Sequence, residues 1–107
     1  SNSSKVTLLG VGENCINKHG AVSEETAKEM AERVRLMFSS EIGLSITGIA
    51  GPNGGSEDKP VGLTYIGLST KQETKVRKYK FGSTRKSNKV RASQAALNWM
   101  RLEISNV

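Results

Sequence analysis

The chain has 107 residues, 36% of them hydrophobic, with one Trp, two Tyr and two Phe, which is enough for one modest domain with a single core. Its one cysteine excludes an internal disulfide, and no stretch approaches the roughly 18 consecutive apolar residues of a membrane span, so we expect a cytoplasmic protein without membrane contact. The net charge is +6, which can reflect an anionic partner or solvated surface lysines and arginines.

The first predicted helix runs from about Ser23 to Ser39. Ser23 is a good N-cap because its hydroxyl can accept a hydrogen bond from an unpaired amide of the first turn. Glu24 and Glu25 follow, where negative charge suits the positive end of the helix dipole. Apolar residues then recur at spacings of three and four and predict one buried face: Ala27, Met30, Ala31, Val34, Met37 and Phe38.

Three strands are predicted after this helix. Leu44 to Ala50 is a short β-prone run between glycines, typical of a buried strand, and Gly62 to Ser69 is the next. Lys71-Gln72-Glu73 reads as a hairpin tip before a third strand, Thr74 to Phe81. Alternation along this third strand places Arg77, Tyr79 and Phe81 on one face, so it is expected to be half exposed.

A last helix is predicted from about Thr84 to Ile104, with Ser83 as its cap. Its predicted core stripe consists of Val90, Leu97, Met100 and Ile104, with Ala96 and Trp99 beside it. The order helix, strand, strand, strand, helix predicts an α/β fold in which helices pack on a mixed β-sheet with Leu44 to Ala50 central.

One block of the chain carries the excess positive charge. Between Lys75 and Arg91 lie eight basic residues and no acidic one: Lys75, Arg77, Lys78, Lys80, Arg85, Lys86, Lys89 and Arg91. Such a block can attract nucleic acid, an anionic membrane or a phosphorylated small molecule, or it can be a strand and a helix start with solvated side chains. The block alone does not choose between these.

The segment from Thr47 to Gly62 is the candidate ligand loop. Its glycines let the backbone turn sharply and approach a ligand closely, and Thr47 ends an apparently buried strand, where α/β proteins commonly bind ligands. It lacks the Gly-Lys-Ser/Thr ending of a phosphate-binding loop and leads into a strand, so neither nucleotide fingerprint applies. A surface loop with turn residues is the alternative.

Two other features are compatible with metal binding or catalysis but do not establish either. Cys15 and His19 are four residues apart and could share a helical face as metal ligands, but no second pair supports them and a buried thiol is the simpler reading. Lys5 could be a catalytic lysine with a lowered pKa or a solvated one.

Five runs together resemble the C-terminal domain of the CinA family: Ser1 to Val11, His19 to Ala27, Thr47 to Gly55, Lys59 to Ile66, and Phe81 to Arg85 leading to Val90-Arg91. The order and spacing fit across nearly the whole chain. Thr-Gly-Ile-Ala-Gly-Pro followed by Lys-Pro-Val-Gly is the most specific part of the pattern.

The resemblance implies a three-layer α/β/α domain and a nicotinamide-nucleotide amidase. Such an enzyme hydrolyses the carboxamide of nicotinamide mononucleotide to nicotinate mononucleotide and ammonia in pyridine-nucleotide salvage, with a serine nucleophile, a lysine base and neither metal nor cofactor. The positions of this sequence that match the family's catalytic residues are Lys5 and Thr47. Those that match its substrate-binding positions are Asn2, Gly48, Gly51, Gly54, Gly55, Arg85 and Arg91.

The sequence departs from the family in two ways. The Ala-Glu-Ser-Cys-Thr-Gly-Gly motif that carries the nucleophile, in a segment of about fifty residues before Ser1, does not occur, and Gly-Asp-Arg is replaced by Ser83-Thr84-Arg85. We therefore expect residues 1–107 to be a partial domain that is inactive as an amidase, whose partners are the missing segment and other copies of itself. A nucleic-acid-binding or non-catalytic partner module is the alternative, but Tyr79 and Phe81 are the block's only aromatic residues and no nucleic-acid-binding motif is present.

Overall fold

The computed structural model describes residues 6–8, 22–48, 62–82 and 84–105. Within them lie four strands and two helices: β1 (Val6–Leu8), α1 (Glu24–Met37), β2 (Ile42–Gly48), β3 (Leu63–Ser69), β4 (Thr74–Lys80) and α2 (Arg85–Ser105). None of the helices in these ranges is long and apolar enough to cross a membrane.

The four strands form one mixed sheet in the order β1-β2-β3-β4. β1 is parallel to β2, whereas β3 is antiparallel to both β2 and β4. The predicted mixed sheet, and the interior position of the strand that begins near Leu44, are confirmed. β2 starts two residues earlier than predicted, at Ile42, and the predicted strand end at Ala50 lies outside the described residues.

The hairpin predicted at Lys71-Gln72-Glu73 is also confirmed. The Thr70 amide donates to the Glu73 carbonyl at 2.8 Å, which closes the turn between β3 and β4. The Thr70 hydroxyl accepts from the amides of Gln72 and Glu73, each at 3.3 Å. These hydrogen bonds satisfy backbone groups of the turn that do not pair in the β-ladder.

Helix α1 lies on a sheet face made of very small side chains. A Cβ atom on Gly43 would lie 2.3 Å from the Ala31 carbonyl oxygen, and one on Gly67 would lie 2.5 Å from the Ala27 carbonyl oxygen. The Ser45 hydroxyl donates to that Ala27 carbonyl at 2.6 Å. The helix backbone thus rests almost directly on the sheet, which only glycine and serine in β2 and β3 permit.

The start of α1 is capped as predicted, but its apolar face ends early. The Ser23 hydroxyl accepts from the Thr26 amide at 3.1 Å. Met37 and Phe38, predicted to be buried, are 60% and 40% exposed, so that part of the prediction is wrong. The helix ends at Met37, and the Ser40 amide bonds to the Arg35 carbonyl, which turns the chain into β2 before these side chains can reach the sheet.

Helix α2 packs on the opposite face, which carries the large aliphatic side chains. The core there combines sheet and helix residues: Ile42, Leu44, Ile66, Leu68, Ala96 and Trp99. Trp99 is 2% exposed and is the largest fully buried side chain. With α1 and α2 on opposite faces, the fold has the three layers that the sequence resemblance implied.

The predicted core stripe of α2 is wrong. Val90, Leu97 and Ile104 are 51%, 48% and 42% exposed, and only Met100 of the predicted stripe is partly buried. The buried side chains are Asn88, Ala92, Ala96 and Trp99, at spacings of three and four. Apolar residues at helical spacing occur on two faces of α2, so the spacing alone does not show which face is buried. The face that packs on the sheet is the one with Ala92 and Ala96, whose small side chains let the helix approach closely.

A polar cluster covers the outer side of Trp99. The Arg77 guanidinium lies 4.4 Å from the centre of the indole ring, a cation–π contact. One carboxylate oxygen of Glu103 accepts from Trp99 Nε1 and from Lys75 Nζ, each at 3.2 Å. The hydrogen bond from Lys75 is the main cause that lowers the pKa of Glu103, and the same bond raises the pKa of Lys75.

We expect Gly67→Ala to destabilise the fold by about 1 to 3 kcal/mol, because the new methyl overlaps the Ala27 carbonyl and Ser45 hydroxyl, and overpacking typically costs this much. Gly82→Ala is the matched control, since its Cβ would meet nothing closer than 3.9 Å. Urea unfolding followed by circular dichroism measures both. Equal midpoints for the two variants would contradict the close packing of α1.

We expect Glu103→Gln to lower Tm by a few degrees at neutral pH, but not in acid. The folded-state pKa of Glu103 lies below its ordinary value of 4.5, so the stabilisation is complete above that value and is lost as pH falls through the lowered pKa. Thermal unfolding from pH 3 to pH 7 tests this, with Glu73→Gln as control because Glu73 is 61% exposed and lies 3.6 Å from Lys75. A difference from wild type that did not change with pH would contradict it.

Candidate functional site

Helix α1 begins at the end of the sheet where β2 finishes. As α1 advances from Ala27 to Arg35, its contacts move from Ser45 and Gly67 to Gly43 and Ser69, so it runs antiparallel to β2. Its N-cap is one turn before Ala27, and Thr47 is two residues beyond Ser45, each about 6 Å further along. The N-terminus of α1 therefore lies level with Thr47.

Helix α2 begins at the same end. Trp99 contacts Arg77, and Glu103 contacts Lys75, so α2 runs antiparallel to β4 as well. Its first helical hydrogen bond joins the Asn88 amide to the Thr84 carbonyl at 3.0 Å, which places Thr84 at the N-cap position, while the predicted cap Ser83 lies outside the described residues. The positive ends of two helix dipoles thus converge on one edge of the sheet, an arrangement suited to an anion.

Three glycines lie at this edge, which we call the Gly48 end: the exposed Gly48 and Gly82 and the buried Gly62. A Cβ on Gly48 would lie 2.6 Å from the Thr64 hydroxyl, and one on Gly62 would lie 2.6 Å from the carbonyl oxygens of Phe81 and Gly82. Gly62 also has a φ of +88°, which disfavours other residues. Gly48 and Gly62 are therefore positions of close approach that leave no room for a side chain of their own.

Thr47 and Arg91 lie at this end on opposite sides of the sheet. Thr47 is 8% exposed and shares the α1 face with Ser45. Arg91 is exposed on α2, with one guanidinium nitrogen 3.9 Å from the position of a Gly82 Cβ. The backbone of Arg85 begins α2 at the same end.

The other predicted site residues lie outside the described part of the chain: Asn2, Lys5, Gly51, Gly54 and Gly55, as do Cys15 and His19. β1 starts far from Thr47, because Val6 pairs with Ile42, five positions earlier in β2 and about 17 Å away at roughly 3.3 Å per residue. The described residues do not bring the start of β1 to Thr47, so the pairing of Lys5 with Thr47 stays a prediction.

A cross-strand row beside Thr47 was not anticipated from the sequence. Thr47 pairs with Tyr65, and Tyr65 pairs with Lys78, so the three side chains lie in line on the α1 face. Neighbours in such a row have Cβ atoms about 5 Å apart. Strand alternation shows which residues of one strand share a face, but only the pairing register shows that Thr47, Tyr65 and Lys78 are neighbours.

Asn88 is a second residue that sequence reasoning missed. It is 4% exposed in the first turn of α2, with its side-chain oxygen 3.9 Å from the position of a Gly82 Cβ. Asn88 is thus a buried amide at the start of α2, next to Gly82.

The basic block does not form one patch. Lys75 pairs with Glu103 and Glu73, and Arg77 lies over Trp99. Lys78 and Lys80 belong to the α1 face of β4, whereas Arg91 belongs to α2 on the other side. Among the described residues there is no group of three His, Cys, Asp or Glu side chains that could hold a metal ion.

Comparison with known proteins identifies the family. The CinA C-terminal domain model matches residues 1–104. The chain belongs to the CinA family. It is 50% identical over 101 residues to a CinA-like protein of Kosmotoga olearia and 48% identical over 101 residues to a competence-damage inducible protein of Caldanaerobacter subterraneus. Each match covers 94% of this chain and 24% of the relative, so the chain spans about a quarter of their length.

Solved CinA-family structures have the same fold. The competence/damage inducible protein CihA of Agrobacterium tumefaciens is 32% identical with a TM-score of 0.77, over 88% of this chain and 58% of that one. A competence or damage-inducible protein of Enterobacter asburiae is 29% identical with a TM-score of 0.76, over 86% and 58%. The α/β fold of helices on a mixed sheet is therefore the CinA fold.

Proposed function

We propose that this chain supplies one side of a nicotinamide-nucleotide amidase site that hydrolyses nicotinamide mononucleotide to nicotinate mononucleotide and ammonia. The observation that supports this best is the convergence of both helix N-termini, the Thr47 strand end and Arg91 on the Gly48 end. The nucleophilic serine would come from the Ala-Glu-Ser-Cys-Thr-Gly-Gly segment that these 107 residues do not contain.

The phosphate group of the proposed substrate suits the Gly48 end. A phosphate is stabilised by the positive end of a helix dipole and by bidentate hydrogen bonds from arginine. In this proposal Arg91 or Arg85 binds the phosphate at the start of α2. The basic excess of the chain also raises the local concentration of an anionic substrate, so no nucleic acid is required to explain it.

The reacting carboxamide belongs on the Thr47 side. Attack by the serine oxygen on the amide carbon gives a tetrahedral oxyanion. Its collapse, with the serine proton passed by the base to the departing nitrogen, releases ammonia and leaves an acyl-enzyme that water hydrolyses. Thr47 and the backbone amides that follow are assigned to the oxyanion. The base is assigned to Lys5, which must be neutral to accept the serine proton, and burial or a neighbouring positive charge lowers a lysine pKa in this way.

The decisive experiment restores the serine. The chain is fused to the roughly fifty residues that precede the matched region in a longer relative, and ammonia release from nicotinamide mononucleotide is measured. We expect turnover from the fusion and none from residues 1–107. Thr47→Ala should lower kcat of the fusion by about 100- to 1,000-fold, the usual effect of losing an oxyanion donor. Thr70→Ala, at the opposite hairpin, is the control and should leave kcat unchanged. A folded fusion without turnover overturns the proposal.

A second comparison assigns the base. In the fusion, Lys5→Ala should abolish kcat. Lys78→Ala should only raise KM, because Lys78 lies in the row beside Thr47 and Tyr65 and can attract the substrate electrostatically. Circular dichroism confirms that both variants are folded. The reverse pattern, with kcat lost only in Lys78→Ala, would move the base from Lys5 to Lys78.

A further inference from the structure

Tyr65 lies directly beside Thr47 on the α1 face of the sheet. The two residues are opposite each other in the antiparallel pair of β2 and β3, and such residues have Cβ atoms about 5 Å apart. Lys78 follows on the other side of Tyr65, in β4, and is exposed, so its ammonium group can stay in water. A phenol ring at position 65 is therefore within reach of a group that contacts Thr47.

The position of Tyr65 along β3 coincides with the start of helix α1. Ser45 and Gly67 lie beneath the helix, where the backbone of Ala27 leaves no space for a large side chain. Tyr65 is two residues beyond Gly67, about 7 Å further along the strand, and is therefore level with the N-cap Ser23. The α1 face thus changes from very small side chains to an aromatic one at the edge where Thr47 lies.

Tyr65 differs from other aromatic residues of the chain in what its ring contacts. Tyr79 and Phe81 stack on each other on the α2 side, with ring centres 5.4 Å apart. Trp99 is 2% exposed and lies against the Arg77 guanidinium. Among the described residues, no aromatic ring or cation stacks on Tyr65, which is partly buried. Its ring is therefore available to a ligand bound at Thr47.

The substrate proposed for this site carries a positively charged ring. In nicotinamide mononucleotide the ring nitrogen is bonded to ribose, so the ring is a pyridinium cation, and the carboxamide is attached directly to it. A carboxamide at Thr47 therefore brings a flat cationic ring close to the neighbouring residue of the row, Tyr65. Aromatic side chains attract such a group by stacking and by cation–π interaction.

We propose that Tyr65 binds the pyridinium ring of the substrate and that the site thereby selects N-substituted pyridinium carboxamides over neutral pyridine carboxamides. This inference rests on the proposed function. Hydrolysis of the carboxamide leaves the ring charge unchanged, so the contact is the same in the bound substrate and in the transition state. Tyr65 therefore lowers KM and has little effect on kcat.

Equilibrium binding to the serine-restored fusion tests this inference separately from turnover. The nucleophilic serine is replaced by alanine, and isothermal titration calorimetry measures Kd for nicotinamide mononucleotide. We expect Tyr65→Leu to raise Kd about 5- to 30-fold, the upper range of a cation–π contact. Tyr65→Phe and Tyr65→Trp keep an aromatic ring and should change Kd by less than about 3-fold. An unchanged Kd in Tyr65→Leu, or equal losses in Tyr65→Leu and Tyr65→Phe, overturns the proposal.

The two proposals fail in different ways. Binding of nicotinamide mononucleotide without turnover by the serine-containing fusion would contradict the amidase proposal alone. A fusion that turns the nucleotide over, but whose Kd does not depend on the ring at position 65, would contradict the role of Tyr65 alone. A folded fusion that does not bind the nucleotide would overturn both.

Two further variants locate the ring contact. Phe38→Leu removes an aromatic residue that follows the last residue of α1, at the opposite end of the helix, and should leave Kd unchanged. Phe81→Leu tests the other aromatic residue near the Gly48 end, where the Phe81 amide donates to the Gly62 carbonyl at 2.9 Å. Circular dichroism confirms that all variants are folded. A loss of affinity in Phe81→Leu but not in Tyr65→Leu would place the pyridinium ring on the α2 side and overturn the assignment.

Two small probes test the requirement for ring charge. Nicotinamide methylated on its ring nitrogen has the cationic ring without ribose or phosphate, whereas nicotinamide has the neutral ring. In competition with nicotinamide mononucleotide, we expect the methylated probe to bind the fusion at least about 5-fold more tightly, and Tyr65→Leu to abolish that preference. Equal competition by the two probes, or none by either, overturns the proposed selection for a charged ring.

Discussion

The contact of α1 with the glycines and serines of β2 and β3 is the constraint on which the candidate site depends. The Ser45 hydroxyl donates to the Ala27 carbonyl at 2.6 Å, and Gly43 and Gly67 leave no space for a side chain beneath the helix. A helix held this closely cannot slide along the sheet without meeting bulkier residues. Its N-terminus is thereby fixed level with Thr47.

On the opposite face of the sheet, the position of α2 is fixed by hydrophobic burial instead of close backbone contact. Trp99 and the aliphatic residues around it hold α2 by burial of large apolar surfaces, and the cluster of Arg77, Lys75 and Glu103 covers the indole ring. These contacts act at the C-terminal half of α2. The N-terminal half of α2 extends to the Gly48 end, where Arg91 and Asn88 lie beside Gly82.

Local features were predictable from the sequence, and those that depend on tertiary packing were not. The Ser23 cap and the β3–β4 hairpin follow from chemistry within a few residues, so they were predicted correctly. The buried face of α2 was predicted wrongly because Val90, Leu97 and Ile104 satisfy helical periodicity as well as Ala92, Ala96 and Trp99 do. The placement of Thr47 and Arg91 on opposite faces required the strand register, which no single segment encodes.

That placement bears on the kind of ligand the Gly48 end can take. A ligand that meets both Thr47 and Arg91 must pass over the glycine backbone at the sheet edge, with one end on each side. Under the proposed function, a nucleotide with its reactive ring and its phosphate at opposite ends meets this requirement better than a free ring amide. Gly48 and Gly62 leave no room for a side chain at this edge, because a Cβ atom at either position would overlap neighbouring atoms. Under the proposed function, the phosphate is then the feature that orients the carboxamide toward Thr47, and binding energy gained on the α2 side positions the reaction on the α1 side.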